Sequence, residues 1–151
     1  MHIPIVQHYI EIQRGQRNNL ILAPTGNLGI PRSAMPQIDS KCRAEFIAFI
    51  QSQGIKVRNL RVPAKSLKMV QGEYNRDKVG AIMDSGNIKG DPIFISKDGY
   101  IVDGNHRLIA FINMPNVSRY IDVTELGMDV KPLLDVIRKF SRVRYRNLNN
   151  V

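Results

Sequence analysis

The stretch from residue 92 to residue 113 constrains the fold more than any other part of the chain. It reads PIFISKDGYIVDGNHRLIAFIN, with two β-branched runs at 92–95 and 99–102 joined by an Asp-Gly turn. This pattern predicts a tight β-hairpin. A helix from about Asn105 to Asn113 follows directly, so the chain must turn from strand to helix within a few polar residues.

Strand and helix signals follow one another irregularly in the rest of the chain. Before the hairpin, apolar spacing and cap residues predict a helix from Asp39 or Ser40 to Gly54, a strand over 55–62 and a helix from Asn75 to just before Gly86. After the hairpin and its helix, they predict a strand around 120–123 and a helix over 129–140. Asn59 marks a possible irregularity in its strand. Because the order lacks a regular βαβ repeat, it predicts an α+β fold rather than a doubly wound sheet.

The bulk properties of the chain fit one globular domain. A length of 151 residues is enough to bury a core. The lone Cys42 has apolar neighbours and is expected to fill the core rather than act as a nucleophile, and three histidines without a Cys-x-x-Cys pair make no zinc pattern. No apolar run approaches the roughly 18 residues that span a bilayer, and the first residues do not resemble a secretory signal. A cytoplasmic protein without a membrane partner is therefore expected.

The net charge points to an anionic partner. Lysine and arginine total 22 against 13 acidic residues, which gives a formal charge of +9. Such an excess usually attracts nucleic acid or a phosphorylated ligand, although it can also serve solubility alone.

The strand-to-helix corner carries the candidate chemistry. A helix that begins near Asn105 presents backbone N–H groups and a positive partial charge to an anion. His106 and Arg107 add side-chain donors in the first turn, and Gly104 would let the backbone approach a phosphate closely. The alternative is that Asp103 is an ordinary N-cap, Asn105 a turn residue, and the other two a solvated surface.

The segment DPIFISKDGYIVDGNHRLIAF resembles the central motif of the ParB/sulfiredoxin superfamily, in which such a hairpin leads into a helix. Upstream, VPAKSLKMVQGEYNRDKVGAIM looks like the strand, polar box and helix that precede this motif. The resemblance implies a small mixed sheet with flanking helices over residues 55–125. Residues 1–54 then form a helical N-terminal extension, and residues 126–151 form a C-terminal helix and basic tail.

Members of this superfamily share a phosphate pocket at the corner. Sulfiredoxins carry a nucleophilic cysteine where this chain has Asn105, so sulfiredoxin chemistry is not expected. The DGNHR sequence is closer to the DGHHR of kinase-like and phage-type members than to the corresponding box of ParB partition proteins, whose nucleotide switch is not carried over. The resemblance to the serine kinases places Glu73 where they carry an essential acid, and Asp103 at their motif aspartate.

These matches imply a nucleotide-dependent phosphoryl transfer to a hydroxyl on a small molecule, a nucleoside or DNA. The expected ligands are ATP or another nucleotide, with Mg²⁺ arriving on the nucleotide. The predicted catalytic residues are Glu73 as general base, Asp103 as a ligand of the metal or the acceptor, and His106. The predicted nucleotide- and phosphate-binding residues are Gln71, Gly104, Asn105, His106 and Arg107. Glu73 could instead be a solvated acid and Gln71 a turn residue. Arg76 and Lys78 could bind phosphate or form a solvated helix face.

The C-terminal sequence RKFSRVRYR, residues 138–146, suggests a second anion-binding surface. Basic side chains interleaved with Phe140 and Tyr145 are typical of single-stranded nucleic-acid binding, but basic residues also favour helix C-termini. The predicted nucleic-acid-binding residues are Arg138, Lys139, Arg142, Arg144 and Arg146. A ParB-like nuclease and a non-catalytic DNA- or nucleotide-binding module thus remain alternatives to the phosphotransferase. Upstream, Arg32 and Gln37 could cover the pocket or decorate a loop.

Overall fold

A computed structural model describes residues 20–26, 28–72, 74–85, 90–114 and 119–145 of the chain. Its helices are α1 (Arg43–Ser52), α2 (Arg76–Asp84), α3 (Asn105–Asn113) and α4 (Val130–Ile137). Its strands are β1 (Pro36–Gln37), β2 (Val57–Pro63), β3 (Ile93–Ser96), β4 (Ile101–Asp103), β5 (Tyr120–Leu126) and β6 (Arg144–Tyr145). The predicted α+β class is confirmed.

Four of the strands form a mixed sheet in the order β2-β5-β3-β4. β5 runs antiparallel to β2 and parallel to β3, and β3 runs antiparallel to β4. The two remaining strands, β1 and β6, pair antiparallel in a separate ribbon that joins the segment before α1 to the C-terminal tail.

The sheet lies between two layers of helices. Strand β3 is buried along its whole length, and its side chains alternate between two apolar clusters. Ile93 and Ile95 face the cluster that includes Val79 of α2 and Leu108 of α3. Phe94 faces the other cluster, whose members on the helical side include Phe46, Ile50, Leu133 and Ile137 of α1 and α4. Burial on both faces explains why this strand reads as a continuous apolar run.

The predicted hairpin, its turn and the following helix are confirmed. Gly99 has a φ of +86°, and its N–H donates to the Ser96 carbonyl at 3.0 Å, which closes the turn between β3 and β4. Gly104 then lies between the last residue of β4 and the first residue of α3. The corner is built from local turn chemistry, as the sequence indicates.

Several predicted boundaries and details differ from the structure. β5 continues to Leu126 rather than ending at Val123, and α4 ends at Ile137. The irregularity expected at Asn59 is absent, because the register of β2 and β5 is continuous through this residue. The Asn59 side chain also accepts a hydrogen bond from Thr124 Oγ1 at 2.8 Å across the two strands. Asp39 does not cap the first helix through its side chain.

Within the described ranges, none of the helices has both the length and the apolar character needed to cross a bilayer. Cys42 is buried, as expected of a residue that fills the core.

Candidate functional site

A cavity of about 690 Å³ lies beside the corner where β4 meets α3. Its walls come from the corner itself, from residues 32–40, from the turn at residues 70–71 and from one face of α2. The volume falls within the range of roughly 300–1,000 Å³ that is typical of small-molecule sites.

Most of the predicted phosphate-site residues meet in this cavity. The lining includes Gln71, Asp103, Gly104, Asn105, His106 and Arg107. Glu73 and Arg146 lie outside the described residues, so their predicted roles stay predictions. The four described basic residues of the tail do not line the cavity.

Arg32 is the most buried cation of the cavity. It follows Pro31 in a short 3₁₀ turn (Arg32–Ala34), and only 6% of its surface is exposed. A guanidinium is rarely buried to this extent unless it is matched by an anion or a functional requirement. The structure therefore places at the cavity a residue whose role the sequence leaves open.

Lys78 reaches the cavity from the first turn of α2. The side chain of Asn75 accepts a hydrogen bond from the Lys78 N–H at 3.0 Å, which confirms Asn75 as the predicted N-cap. Lys78 lines the cavity but is also exposed to solvent, so its phosphate-binding role stays a prediction.

The Asp103 carboxyl is enclosed at the end of β4. Its Oδ2 accepts a hydrogen bond from the Ile38 N–H at 2.9 Å, which ties residues 32–40 to the corner. Burial raises the pKa of Asp103 above its usual range, although the Ile38 hydrogen bond and the charges of Arg107, Arg32 and Lys78 act in the opposite direction. A carboxyl with a raised pKa is better suited to accept a proton near neutral pH than an exposed one.

His106 is buried and electrically neutral. Its Nε2 accepts a hydrogen bond from the Asn75 N–H at 2.9 Å, so the ring proton must lie on Nδ1. Burial, together with the nearby charges of Arg32 and Lys78, lowers the pKa of His106 from 6.5 to about 3. A neutral ring whose Nε2 is already engaged offers a phosphate one hydrogen bond, from Nδ1–H, and no positive charge.

Gly104 is required by the packing of the corner. Its φ is +116°, and a Cβ built there would lie 2.3 Å from Cγ2 of Ile93. Both the left-handed backbone and the close approach of β3 exclude larger residues. The glycine lines the cavity as predicted, but contact with the sheet already accounts for it.

Arg107 borders two openings. It lines the main cavity and also a smaller groove of about 260 Å³, and its Nη1 donates to the backbone carbonyl of Asp91. This contact fixes one edge of the guanidinium beside Gly104. A fork that is held at one edge is pre-organised to donate from its other N–H groups.

Nε2 of Gln37 and Oδ1 of Asn105 are buried in the cavity wall and have no hydrogen-bond partner. Leaving such a group unsatisfied costs about 1–3 kcal/mol. Because neither atom has accessible surface, a molecule in the cavity would reach them only if the side chains turned.

The basic tail is engaged with acidic residues of the same chain. Arg138 pairs with Asp135 at 3.2 Å, Arg142 with Glu45 at 3.1 Å, and Arg144 with Asp39 at 3.3 Å. Phe140, expected to stack on nucleic-acid bases, is instead buried at 5% exposure and packs against Phe46. The helical spacing of the last helix also predicts Phe140 as part of its buried apolar stripe, and this prediction is confirmed, whereas the stacking role is wrong. The nucleic-acid role of the basic residues stays a prediction.

Sequence reasoning missed the contribution of Asp39 and left that of Arg32 and Lys78 undecided. Arg32 is the only charged residue in the run GIPRSAMPQI. A lone cation among apolar and proline residues signals burial, and this signal was available in the sequence.

We expect His106 to make the stability of the protein depend on pH. In the unfolded chain the imidazole binds a proton near pH 6.5, and in the folded chain near pH 3. Between these values the unfolded state holds more protons, so the stabilising contribution is complete above pH 6.5 and is lost as the pH falls toward 3. The slope from this one group reaches about 1.4 kcal/mol per pH unit.

Denaturant unfolding of the wild type and of His106→Gln over this range measures the effect. Glutamine can still accept from the Asn75 N–H but does not titrate, so the variant should show a shallower slope. The carboxylates contribute equally to the pH dependence of the unfolding free energy in both proteins, so their contribution cancels when the two slopes are subtracted. Equal slopes would contradict the assignment of a neutral buried imidazole.

Comparisons of this chain with protein-family models, with curated proteins and with solved structures find no match.

Proposed function

We propose that the chain is a nucleotide-binding enzyme that transfers a phosphoryl group from a nucleotide to a hydroxyl acceptor. The observation that carries the proposal is the cavity, which brings the cations Arg32, Lys78 and Arg107 together with Asp103. The three positive charges lower the pKa of the Asp103 carboxyl, against the larger effect of burial. Phosphoryl transfer depends on positioning and on charge neutralisation, with one group to take the proton of the acceptor. The cavity supplies both kinds of group.

The cations account for recognition of the phosphates. Arg32 and Arg107 can each donate parallel hydrogen bonds to phosphate oxygens, and Lys78 adds a point charge. The Nδ1–H of His106 contributes a neutral donor. These groups outnumber the two carboxylates of the lining, Asp39 and Asp103, so the cavity favours an anion.

Asp103 is the proton acceptor in this proposal. The acceptor oxygen forms a bond to the terminal phosphorus, the bond from that phosphorus to the bridging oxygen breaks, and the hydroxyl proton passes to the Asp103 carboxylate. The products are the phosphorylated acceptor and the nucleotide shortened by one phosphate. Glu73, the base that the family resemblance implies, is the rival assignment.

Magnesium is compatible with this site. Among the described residues no group of at least three histidine, cysteine, aspartate or glutamate side chains could hold a metal by itself. Mg²⁺ in nucleotide enzymes is commonly held by one or two carboxylates and the phosphates. Asp103 would hold the ion only in the rival assignment, in which Glu73 is the base, because one carboxylate does not both bind the metal and take the proton. When bound with the nucleotide, the ion neutralises phosphate charge.

The ParB/sulfiredoxin-like fold belongs to the same proposal. A mixed sheet, a hairpin that ends in a glycine corner and a helix that follows it support the resemblance. The nuclease and the non-catalytic module are alternative outcomes of the experiment that follows.

Titration of the purified full-length chain with ATP, CTP and ADP in the presence of Mg²⁺ tests the proposal. We expect saturable binding, followed by consumption of the triphosphate when nucleosides, hydroxy amino acids or DNA with free hydroxyl ends are supplied. DNA strand cleavage without nucleotide consumption would identify a nuclease. Nucleotide binding without turnover would identify a binding module, and the lack of any nucleotide binding would overturn the proposal.

A further inference from the structure

One wall of the cavity is held in place by the C-terminal tail. Gln37 and Asp39 both line the cavity. Behind them, strand β6 pairs with β1 in a register that sets Gln37 opposite Arg144. The tail therefore holds residues 36–37 by strand pairing, while the Asp103 carboxyl, which lines the cavity, accepts a hydrogen bond from the neighbouring Ile38 N–H.

The same tail residue carries a charge to the wall. Nη2 of Arg144 lies 3.3 Å from Oδ2 of Asp39. Arg144 does not itself line the cavity, whereas Asp39 does. An acidic side chain in the wall of an anion site opposes binding unless a cation neutralises it.

We propose that Arg144 is a positioning and specificity residue that adapts the cavity to anionic ligands by neutralising Asp39 from behind the wall. This inference rests on the proposed binding of phosphate groups. It gives the tail a function different from the expected nucleic-acid contact.

The inference separates two roles that a contact of this kind could have. If the ion pair only stabilises the fold, removing either partner should weaken ligand binding, because both changes break the same contact. If Arg144 neutralises Asp39, the two changes should have opposite effects, because one exposes the carboxylate and the other removes it. Both side chains are partly exposed, so solvent and salt screen the effect to a modest size.

The test is a double-mutant cycle read by ATP binding at low and at physiological salt. We expect Arg144→Ala to weaken ATP binding about fivefold at low salt, and less at higher salt. Asp39→Asn should bind ATP as tightly as the wild type or more tightly. The double variant should return to within about twofold of Asp39→Asn, and Arg144→Lys should retain most of the wild-type affinity.

Arg142→Ala is the matched control. Arg142 belongs to the same tail and pairs with Glu45 at 3.1 Å, with a similar exposure, but neither partner lines the cavity. This variant should leave ATP affinity unchanged. Thermal unfolding of every variant identifies any loss of binding that comes from reduced stability.

Three results would overturn the inference while leaving the proposed function intact. They are an equal loss of ATP affinity in Arg144→Ala and Asp39→Asn, an equal loss in Arg144→Ala and Arg142→Ala, and an unchanged affinity in Arg144→Ala with a loss of DNA binding. Absence of ATP binding in the wild type would instead refute the proposed function, and the inference with it.

Discussion

Replacement of Arg32 with glutamine is expected to weaken nucleotide binding by about two orders of magnitude. Arg32 is 6% exposed and lines the cavity, so a phosphate that reaches it is largely shielded from water. Hydrogen bonds to charged groups contribute about 1.5–3 kcal/mol, and a bidentate guanidinium contact lies at the upper end of that range. Glutamine keeps a polar side chain but is shorter and uncharged, so the substitution removes both the charge and the bidentate contact.

Calorimetric titration of ATP into the wild type and the variant measures this loss. Arg58→Gln is the control, because Arg58 is an exposed arginine of the edge strand β2 that pairs with Glu125 at 2.8 Å and does not line the cavity. Its affinity for ATP should stay within about twofold of the wild type, as expected of a surface pair. Equal affinities in wild type and Arg32→Gln would show that the phosphates do not bind in this cavity.

The elements that carry the corner could be predicted because their signals are local. The Asp-Gly turn, the alternation of β-branched residues and the positions of Gly104 and Asn75 each determine a few neighbouring backbone angles. The observed α3 has the predicted limits, and Asn75 caps α2 as expected. Local chemistry is sufficient where an element depends on its own residues.

The far wall of the cavity could not be predicted, because it depends on contacts between distant parts of the chain. Residues 32–40 have no helical or strand period, and their position is set by Asp103 on one side and by β6 on the other. The pairing of β1 with β6 joins segments more than one hundred residues apart. Nothing in either segment alone identifies its partner.

The protonation states of the site residues could not be predicted from the sequence either. His106 and Asp103 could be named as site residues from their positions in the corner, but their protonation depends on burial. Burial and the charges of Arg32 and Lys78 lower the pKa of His106, and burial raises the pKa of the Asp103 carboxyl. A residue type indicates which proton can move, and its surroundings determine at which pH it does so.

Replacement of Asp103 with asparagine is expected to abolish phosphoryl transfer while nucleotide binding remains. Asparagine keeps a side-chain oxygen that can accept from the Ile38 N–H, so the cavity wall should stay in place. It cannot take up the proton of the acceptor, and loss of a general base typically lowers the rate by about two to four orders of magnitude. Removing a negative charge from beside Arg32, Lys78 and Arg107 should also leave ATP affinity equal or higher.

Rates of nucleotide consumption with a saturating acceptor, measured beside ATP affinity, decide between the two candidate bases. Glu73→Gln is the matched variant, since it makes the same chemical change at the carboxylate that the family resemblance implicates. Loss of turnover in Asp103→Asn with survival in Glu73→Gln assigns the proton to Asp103. The reverse result assigns it to Glu73 and leaves Asp103 as a group that holds residues 32–40 through Ile38. If both variants lose turnover and both still bind ATP, the two carboxylates act together, and the step written here for Asp103 alone is wrong.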